Sequence, residues 1–101
     1  MLIVLAEARM KDETTLVAAR PVFEPMIAAS RAEPGCISYA YAQDVCDPDK
    51  LIIVERWRDE AALVEHFQTE HMAAFQSALG SLDIEITEIA KYHADDGSPL
   101  R

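Results

Sequence analysis

Residues 51–72 read Leu-Ile-Ile-Val-Glu-Arg-Trp-Arg-Asp-Glu-Ala-Ala-Leu-Val-Glu-His-Phe-Gln-Thr-Glu-His-Met. The first eight residues are mostly apolar and β-branched, which is typical of a strand. Asp59 then suits a helix N-cap, because its carboxylate can accept hydrogen bonds from the free N–H groups of the first turn. A helix follows, breaks near residues 68–69 and resumes. The stretch therefore predicts a strand followed by two short helical pieces.

Candidate chemistry is concentrated in the same stretch. Glu55 and Trp57, the only tryptophan, lie two residues apart on one face of the strand, and two of the three histidines follow as His66 and His71. Side chains at i and i+2 share a strand face. We therefore expect any active site of this protein to be built around residues 55–71.

A hairpin precedes this stretch. Residues 36–45 alternate isoleucine and tyrosine with small residues, which predicts a strand. Residues 46–50 contain Pro48 between two aspartates, a typical turn composition. Strands two and three should therefore pair in antiparallel fashion.

The N-terminal third predicts a strand and a helix. Residues 1–9 are apolar on both faces for most of their length, which is typical of a strand covered on both sides. From Leu16 onwards apolar positions recur at spacings of three and four, as in an amphipathic helix. We expect this helix to begin poorly, to kink near Pro21 and to end before Pro34-Gly35.

The C-terminal quarter predicts a last strand over residues 82–93. Its apolar periodicity slips between Ile86 and Ile89, which suggests a β-bulge. The order is β-α-β-β-α-β, with the second helix in two pieces, which is the ferredoxin-like α+β arrangement of a four-stranded antiparallel sheet with helices on one face. We expect one domain over residues 1–93, a polar tail over 94–101, and a second copy of the chain covering the other face of the sheet.

Composition limits the partners. Eighteen acidic and nine basic side chains give a net charge of −9, and no cluster of basic residues interrupts this balance. Binding to nucleic acid or to an anionic membrane is therefore not expected. Without a signal sequence we expect a cytoplasmic protein, and in that reducing compartment Cys36 and Cys46 should both be thiols.

Three motifs follow one another along the chain. They are Ala6-Glu7-Ala8-Arg9 on strand one, Glu-Pro-Gly-Cys at 33–36 followed by Tyr39, and Glu55-x-Trp57 followed by His66 and His71. In this order they resemble the antibiotic biosynthesis monooxygenase (ABM) domain family, and in particular its quinol monooxygenase branch. The resemblance covers residues 2–92. It implies a dimeric α+β barrel with a pocket between sheet and helices. Its better-known members oxidise hydroxylated aromatics with O2 and without flavin, haem or metal.

The resemblance also shows where this chain departs from several relatives. Anthrone-oxidising members hold substrate with an asparagine and a tyrosine, which here are Ile53 and Leu63. Haem-degrading members need an asparagine and a tryptophan, which here are Ala8 and His66. Haem degradation is therefore not expected. A third branch, which isomerises a phosphorylated autoinducer sugar, also carries histidines in this helical region and stays a competitor.

A cofactor-free oxygenation needs a base, an apolar cavity and groups that hold the substrate anion. His66 is the predicted general base, and the alternative is a core histidine bound to a backbone carbonyl. His71 and Trp57 are predicted to position the substrate, the alternatives being a structural residue at the helix junction and a core side chain. Further substrate contacts are expected from the following residues: Glu55, Tyr39, Leu63, Phe67 and Phe75.

Two questions remain open at this point, namely the partner of Glu55 and the function of the protein. For Glu55 we favour an ion pair with Arg9 over a position facing the pocket, because a buried acid usually needs a partner. We expect no metal, because His66 and His71 lack helical ligand spacing and His93 is far along the chain. The family resemblance implies that no other cofactor is needed. The leading hypothesis is a homodimeric, cofactor-independent monooxygenase of a quinol or polycyclic hydroxyaromatic. The alternatives are a sugar-phosphate isomerase and a non-catalytic small-molecule binding module.

Overall fold

A computed structural model describes all 101 residues of the chain. It contains four strands and three helices in the order β-α-β-β-α-α-β, which confirms the predicted ferredoxin-like α+β fold. The elements are β1 Leu2–Met10, α1 Glu13–Arg31, β2 Cys36–Gln43, β3 Lys50–Trp57, α2 Glu60–Phe67, α3 Glu70–Leu79 and β4 Ile84–His93. No helix is long and apolar enough to cross a membrane.

The sheet has the strand order β2-β3-β1-β4, and every neighbouring pair is antiparallel. β2 and β3 form the predicted hairpin, whereas β1 pairs with β3 and β4, which come later in the chain. On β4, the pairing with β1 shifts by one residue between Ile86 and Glu88, so that Thr87 is the extra residue. The predicted β-bulge is therefore confirmed.

The helix-facing side of the sheet carries the core. Alternate residues of β3 are buried, namely Leu51, Ile53, Glu55 and Trp57, as the period of two in a strand requires. The core divides into two adjoining clusters, one around Trp57 and Leu2 and the other around Phe23 and Met10. The cavity described below lies where the two clusters meet.

Helix α1 is one continuous helix, contrary to our expectation of a poor start. The Asp12 side chain caps it by accepting a hydrogen bond from the backbone N–H of Thr14 at 2.9 Å. The helix continues through Pro21 and Pro25, since packing of its buried face against the sheet and α3 compensates for the lost donors. It ends at Arg31, before Pro34-Gly35 as predicted.

The turn after α1 lies directly against α2. A side-chain carbon added at Gly35 would overlap the Cβ of Ala62. Glycine is therefore required here for close packing, since its φ is not positive. This contact fixes the turn that carries Glu33 next to the helix that carries His66.

The opposite face of the sheet has no helix on it. One row across all four strands consists of Ala40, Val54, Leu5 and Ala90, which are neighbours in register. Leu5 is 44% exposed and Tyr92 on the next row is 49% exposed. This helix-free face is largely apolar in its centre.

Candidate active site

A small cavity lies between the helix-facing side of the sheet and the helices. Its volume is about 110 Å³ and 15 of its 17 lining residues are hydrophobic. The two other lining residues are Glu55 from β3 and His66 from α2. The exposed side chains of Phe67, Ile86 and Ile89 lie at its margin. An aromatic molecule entering here would meet apolar walls with two ionisable groups.

His66 reaches the cavity from the last turn of α2, which is capped by Asp59 as predicted. Its side chain is 1% exposed and its ring packs on the indole of Trp57, with centroids 4.5 Å apart. Nδ1 lies 2.6 Å from Oε2 of Glu33. Nε2 is buried and has no hydrogen-bond partner. His66 thus lines the cavity, and its Nε2 is covered by neighbouring atoms without a hydrogen-bond partner in the protein.

Glu33 joins the two histidines of the central stretch. The same carboxylate oxygen that contacts His66 lies 2.8 Å from Nε2 of His71. Thr69 orients both helices, since its hydroxyl donates to the carbonyl of His66 at 2.7 Å and accepts from the N–H of Met72. The break between α2 and α3 thereby turns His71 back towards Glu33.

Glu55 is held by Trp57. The indole Nε1–H donates to Oε1 of Glu55 at 2.9 Å, and both side chains are buried. The favoured ion pair between Glu55 and Arg9 is wrong, because Arg9 lies on the opposite face of the sheet and pairs with Asp47 at 2.6 Å. The open alternative is the one found: Glu55 faces the cavity.

Two tyrosines of β2 complete the polar groups near the cavity. The hydroxyls of Tyr39 and Tyr41 lie 3.4 Å apart, and their rings stack with centroids 5.7 Å apart. Burial raises the pKa of Tyr41 to about 12 and also raises the pKa of Tyr39. Both therefore stay as neutral hydroxyl groups that can hydrogen-bond a ligand.

Burial also favours the neutral forms of His66 and Glu55. It lowers the pKa of His66, against the opposing effects of the Glu33 hydrogen bond and charge. It raises the pKa of the Glu55 carboxyl, against the opposing hydrogen bond from Trp57. A neutral imidazole that accepts protons and a carboxyl with raised pKa thus line the same cavity.

The sequence comparisons identify the family of this chain. Residues 1–78 match the sequence model of the family described as antibiotic biosynthesis monooxygenase. The chain belongs to this family. The ABM match covers β1 to α3, which includes Glu33, His66 and His71.

Two relatives illustrate the range of sequence similarity. The probable quinol monooxygenase YgiN of Escherichia coli K12 is 31% identical over 78% of this chain and 85% of its own length. The uncharacterized protein sll1783 of Synechocystis is 35% identical over 81% of this chain. This chain spans only about half of the cyanobacterial protein, 53% of its length.

Solved structures share the ABM fold. A protein from Deinococcus radiodurans superimposes with a TM-score of 0.88 at 22% identity, covering 100% of this chain and 99% of that one. PA3566 from Pseudomonas aeruginosa has a TM-score of 0.71 at 30% identity, covering 90% and 88%. The first of these shows the shared fold alone, because its sequence identity is low.

Five of the eight predicted site residues line the cavity: Tyr39, Glu55, His66, Phe67 and Phe75. Three do not. Leu63 packs in the core beside Trp57, and Trp57 itself is fully buried with its N–H directed at Glu55. His71 lies behind Glu33, at a groove between α1 and α3. Trp57 therefore reaches a ligand in the cavity only through Glu55, and His71 only through Glu33 and then His66.

Glu33 is not among the predicted site residues, although it begins the Glu-Pro-Gly-Cys motif at 33–36. The sequence signal that could have found it is chemical: two inward histidines need an acceptor, and the Glu-Pro-Gly turn supplies one. One potential metal-ligand atom from each of Glu33, His66 and His71 lies within 4.8 Å of the other two. Two histidines and a carboxylate are a combination that also occurs in metal sites. Both nitrogen–oxygen distances are those of hydrogen bonds, so we describe the group as a hydrogen-bonded cluster.

Proposed function

We propose that this protein is a cofactor-independent monooxygenase that oxidises a quinol or a polycyclic hydroxyaromatic with O2. The observation that carries this proposal is the buried Nε2 of His66, which has no partner and belongs to a residue lining an apolar cavity. A buried polar atom without a partner costs stability, and the explanations for such an atom in a native structure include a bound water or ion, strain and a catalytic role. A phenolic hydroxyl bound in the cavity would supply the missing partner.

The chemistry begins with removal of the phenolic proton. Neutral His66 takes this proton on Nε2, and the substrate oxygen keeps the electron pair as a phenolate. The electron-rich anion reduces O2 directly. One oxygen atom enters the ring and the other leaves as water, so that a phenol plus O2 gives a quinone plus water. The apolar walls favour O2 and exclude bulk water during this sequence.

Glu55 is proposed to hold a second oxygen of the substrate. Its raised pKa favours the protonated carboxyl, which can donate a hydrogen bond to a carbonyl or quinone oxygen. Trp57 fixes the other carboxyl oxygen in place. The cavity, of about 110 Å³, is smaller than a typical ligand pocket and therefore favours a single-ring quinol over a polycyclic substrate.

The two alternative functions have less support. A sugar-phosphate isomerase would need cationic side chains for the phosphate, and no lysine or arginine lines the cavity. A non-catalytic binding module would be favoured by histidines bonded to backbone carbonyls. Here the ring of His66 is bonded to a carboxylate, and its second nitrogen has no partner.

The test is O2 consumption by chelator-treated protein with a panel of benzoquinols, naphthoquinols and anthrones. His66→Ala is the test variant, and His93→Ala is the matched control, because His93 is exposed and lies outside the cavity. We expect uptake above autoxidation by wild type and His93→Ala, reduced about 10²- to 10⁴-fold in His66→Ala. No uptake by wild type with any substrate would remove the assignment.

We propose further that a second copy of the chain covers the helix-free face of the sheet. The apolar row through Leu5 and Val54, with Tyr92 beside it, supports this, because exposed apolar patches mark interfaces. Sedimentation should give a dimer for wild type and for Val45→Asp, an exposed loop variant, and a monomer for Leu5→Asp. A monomeric wild type, or a dimeric Leu5→Asp variant, would contradict this arrangement.

A further inference from the structure

Glu33 has a fixed place behind the proposed base. Its backbone N–H donates to the carbonyl of Ser30 at 3.1 Å, and its carbonyl accepts from the N–H of Cys36 at 3.0 Å. The side chain is 13% exposed. Both ends of this residue are therefore held, and the turn itself is packed against α2 through Gly35.

One oxygen of Glu33 contacts both histidines. As a carboxylate, Glu33 can only accept hydrogen bonds, so Nδ1 of His66 and Nε2 of His71 must both carry a hydrogen. A neutral imidazole has one N–H, and the other nitrogen is then an acceptor. This arrangement leaves the lone pair of His66 on Nε2, the buried atom that has no partner.

We infer that Glu33 is the positioning residue of the catalytic base, and that His71 anchors Glu33 from the side of the α1–α3 groove. Glu33 selects the tautomer of His66 in which Nε2 can take the substrate proton. It also supplies the negative charge that faces the imidazolium formed by that transfer, the role an acid plays behind a catalytic histidine. The Nδ1 proton stays on His66, and the proton on Nε2 is later returned to the departing oxygen as water forms.

The geometry separates the roles of the three residues. His66 lines the cavity, whereas neither Glu33 nor His71 does. His71 is 23% exposed and lines the groove with Pro21, Pro25 and other α1 and α3 residues. This inference rests on the proposed function, since it assigns a partner to the same base. The tautomer of His66 and its dependence on Glu33, however, can be measured without substrate.

The surroundings of His66 predict opposite responses to two substitutions. The titratable groups that face it are Glu33 from the turn, His71 from α3, Tyr39 from β2 and, on the same cavity, Glu55 from β3. Glu33 raises the pKa of His66 and His71 lowers it. Glu33→Gln should therefore lower the pKa of His66, and His71→Gln should raise it.

Nitrogen-15 NMR of the histidine rings tests the inference without turnover. In wild type we expect hydrogen on Nδ1 of His66 and a bare Nε2. Glu33→Ala should populate the form with hydrogen on Nε2, because the acceptor that selects Nδ1–H is gone. Glu65→Gln is the matched control, since Glu65 is an exposed carboxylate next to His66 in the chain. It should leave the tautomer and the pKa unchanged.

The kinetic arm compares the same variants on the substrate found in the O2 assay. Glu33→Gln should lower kcat about tenfold or more with KM unchanged, and should move the acid limb of the pH profile to lower pH. A purely structural role would not move that limb. A wild-type His66 with hydrogen on Nε2, or a Glu33→Gln variant that behaves like Glu65→Gln, would overturn the inference.

The two proposals fail in distinguishable ways. If wild type consumes no O2 but the ring nitrogens respond as expected, the oxygenase assignment fails and the positioning of His66 by Glu33 is supported. If O2 is consumed and Glu33→Gln has no effect, the positioning fails alone. A stoichiometric zinc site found by titrating chelator-treated protein with Zn²⁺, and lost in Glu33→Gln, would also overturn it, because Nδ1 would then be a ligand atom.

Discussion

The bond between Trp57 and Glu55 gives the sharpest stability prediction. Trp57 has no exposed surface, and its N–H is the hydrogen-bond donor to the buried Glu55 at 2.9 Å. Trp57→Phe keeps one six-membered ring and removes three ring atoms, namely the donor nitrogen and two carbons. The lost apolar burial costs about 2 kcal/mol, at roughly 0.8 kcal/mol per carbon group. Leaving the carboxyl without its donor costs about 1–3 kcal/mol more.

The total of about 3–5 kcal/mol is a large share of the 5–15 kcal/mol that stabilises a typical domain. A double-mutant cycle separates the two contributions. In a Glu55→Leu background the same Trp57→Phe change removes no hydrogen bond and also removes an indole N–H that has lost its acceptor, so it should cost no more than the packing part, about 2 kcal/mol. The coupling energy between the two sites should therefore be at least about 1–3 kcal/mol.

The assay is urea unfolding at constant pH, followed by far-UV circular dichroism. Tryptophan fluorescence cannot serve, because Trp57 is the only tryptophan in the chain. Equal urea slopes for the four proteins would show that the unfolded states are comparable. A coupling energy below about 0.5 kcal/mol would refute the reasoning, since Trp57 would then not hold Glu55 at the cavity.

Three further predictions concern the base, the cavity and the turn. Burial lowers the pKa of His66, so the acid limb of the pH profile of kcat/KM should lie below pH 6.5. The contribution of His66 to folding stability should be constant above that pH and should fall as the pH drops through the folded-state pKa. An inflection at or above pH 6.5 would contradict this prediction. Ala8→Leu should fill the cavity and raise KM about tenfold, with less than about 1.5 kcal/mol change in the free energy of unfolding. The control Ala73→Leu, on the exposed side of α3, should leave KM unchanged in the same assay. Gly35→Ala should cost about 1–3 kcal/mol in urea unfolding through its overlap with Ala62, and Ala62→Gly in the same chain should recover part of it; a loss below about 0.5 kcal/mol would show that the turn can move away from α2.

Periodicity predicted the fold because it is a local property that packing preserved. The alternation along β3 placed Glu55 and Trp57 on one face, and the slip in β4 located the bulge at Thr87. The start of α1 was predicted less well. Two prolines suggested a weak helix, but an aspartate cap and tertiary packing hold it from Glu13 to Arg31.

The ion pair between Arg9 and Glu55 failed for a reason that the sequence already contained. Alternation along β1 puts Arg9 on the same face as Ile3 and Leu5, away from the helices. Glu55 lies on the helix-facing side with Trp57. The rule that a buried acid needs a charged partner, applied without the alternation of strand faces, therefore predicted a partner on the wrong face. Glu55 instead accepts a hydrogen bond from Trp57, two positions along the same strand.

The partner of the two histidines could not be predicted by local rules, because Glu33 is separated from His66 by 33 residues and from His71 by 38. Only the packing of Gly35 on α2 brings the turn to the helix. The energetics of His66 differ between its two ring nitrogens. Nδ1 makes a hydrogen bond with Glu33, which helps to hold the turn against α2. Nε2 is buried without a partner in the protein, which costs about 1–3 kcal/mol, and the proposed proton transfer in the cavity gives a reason for the sequence to keep it.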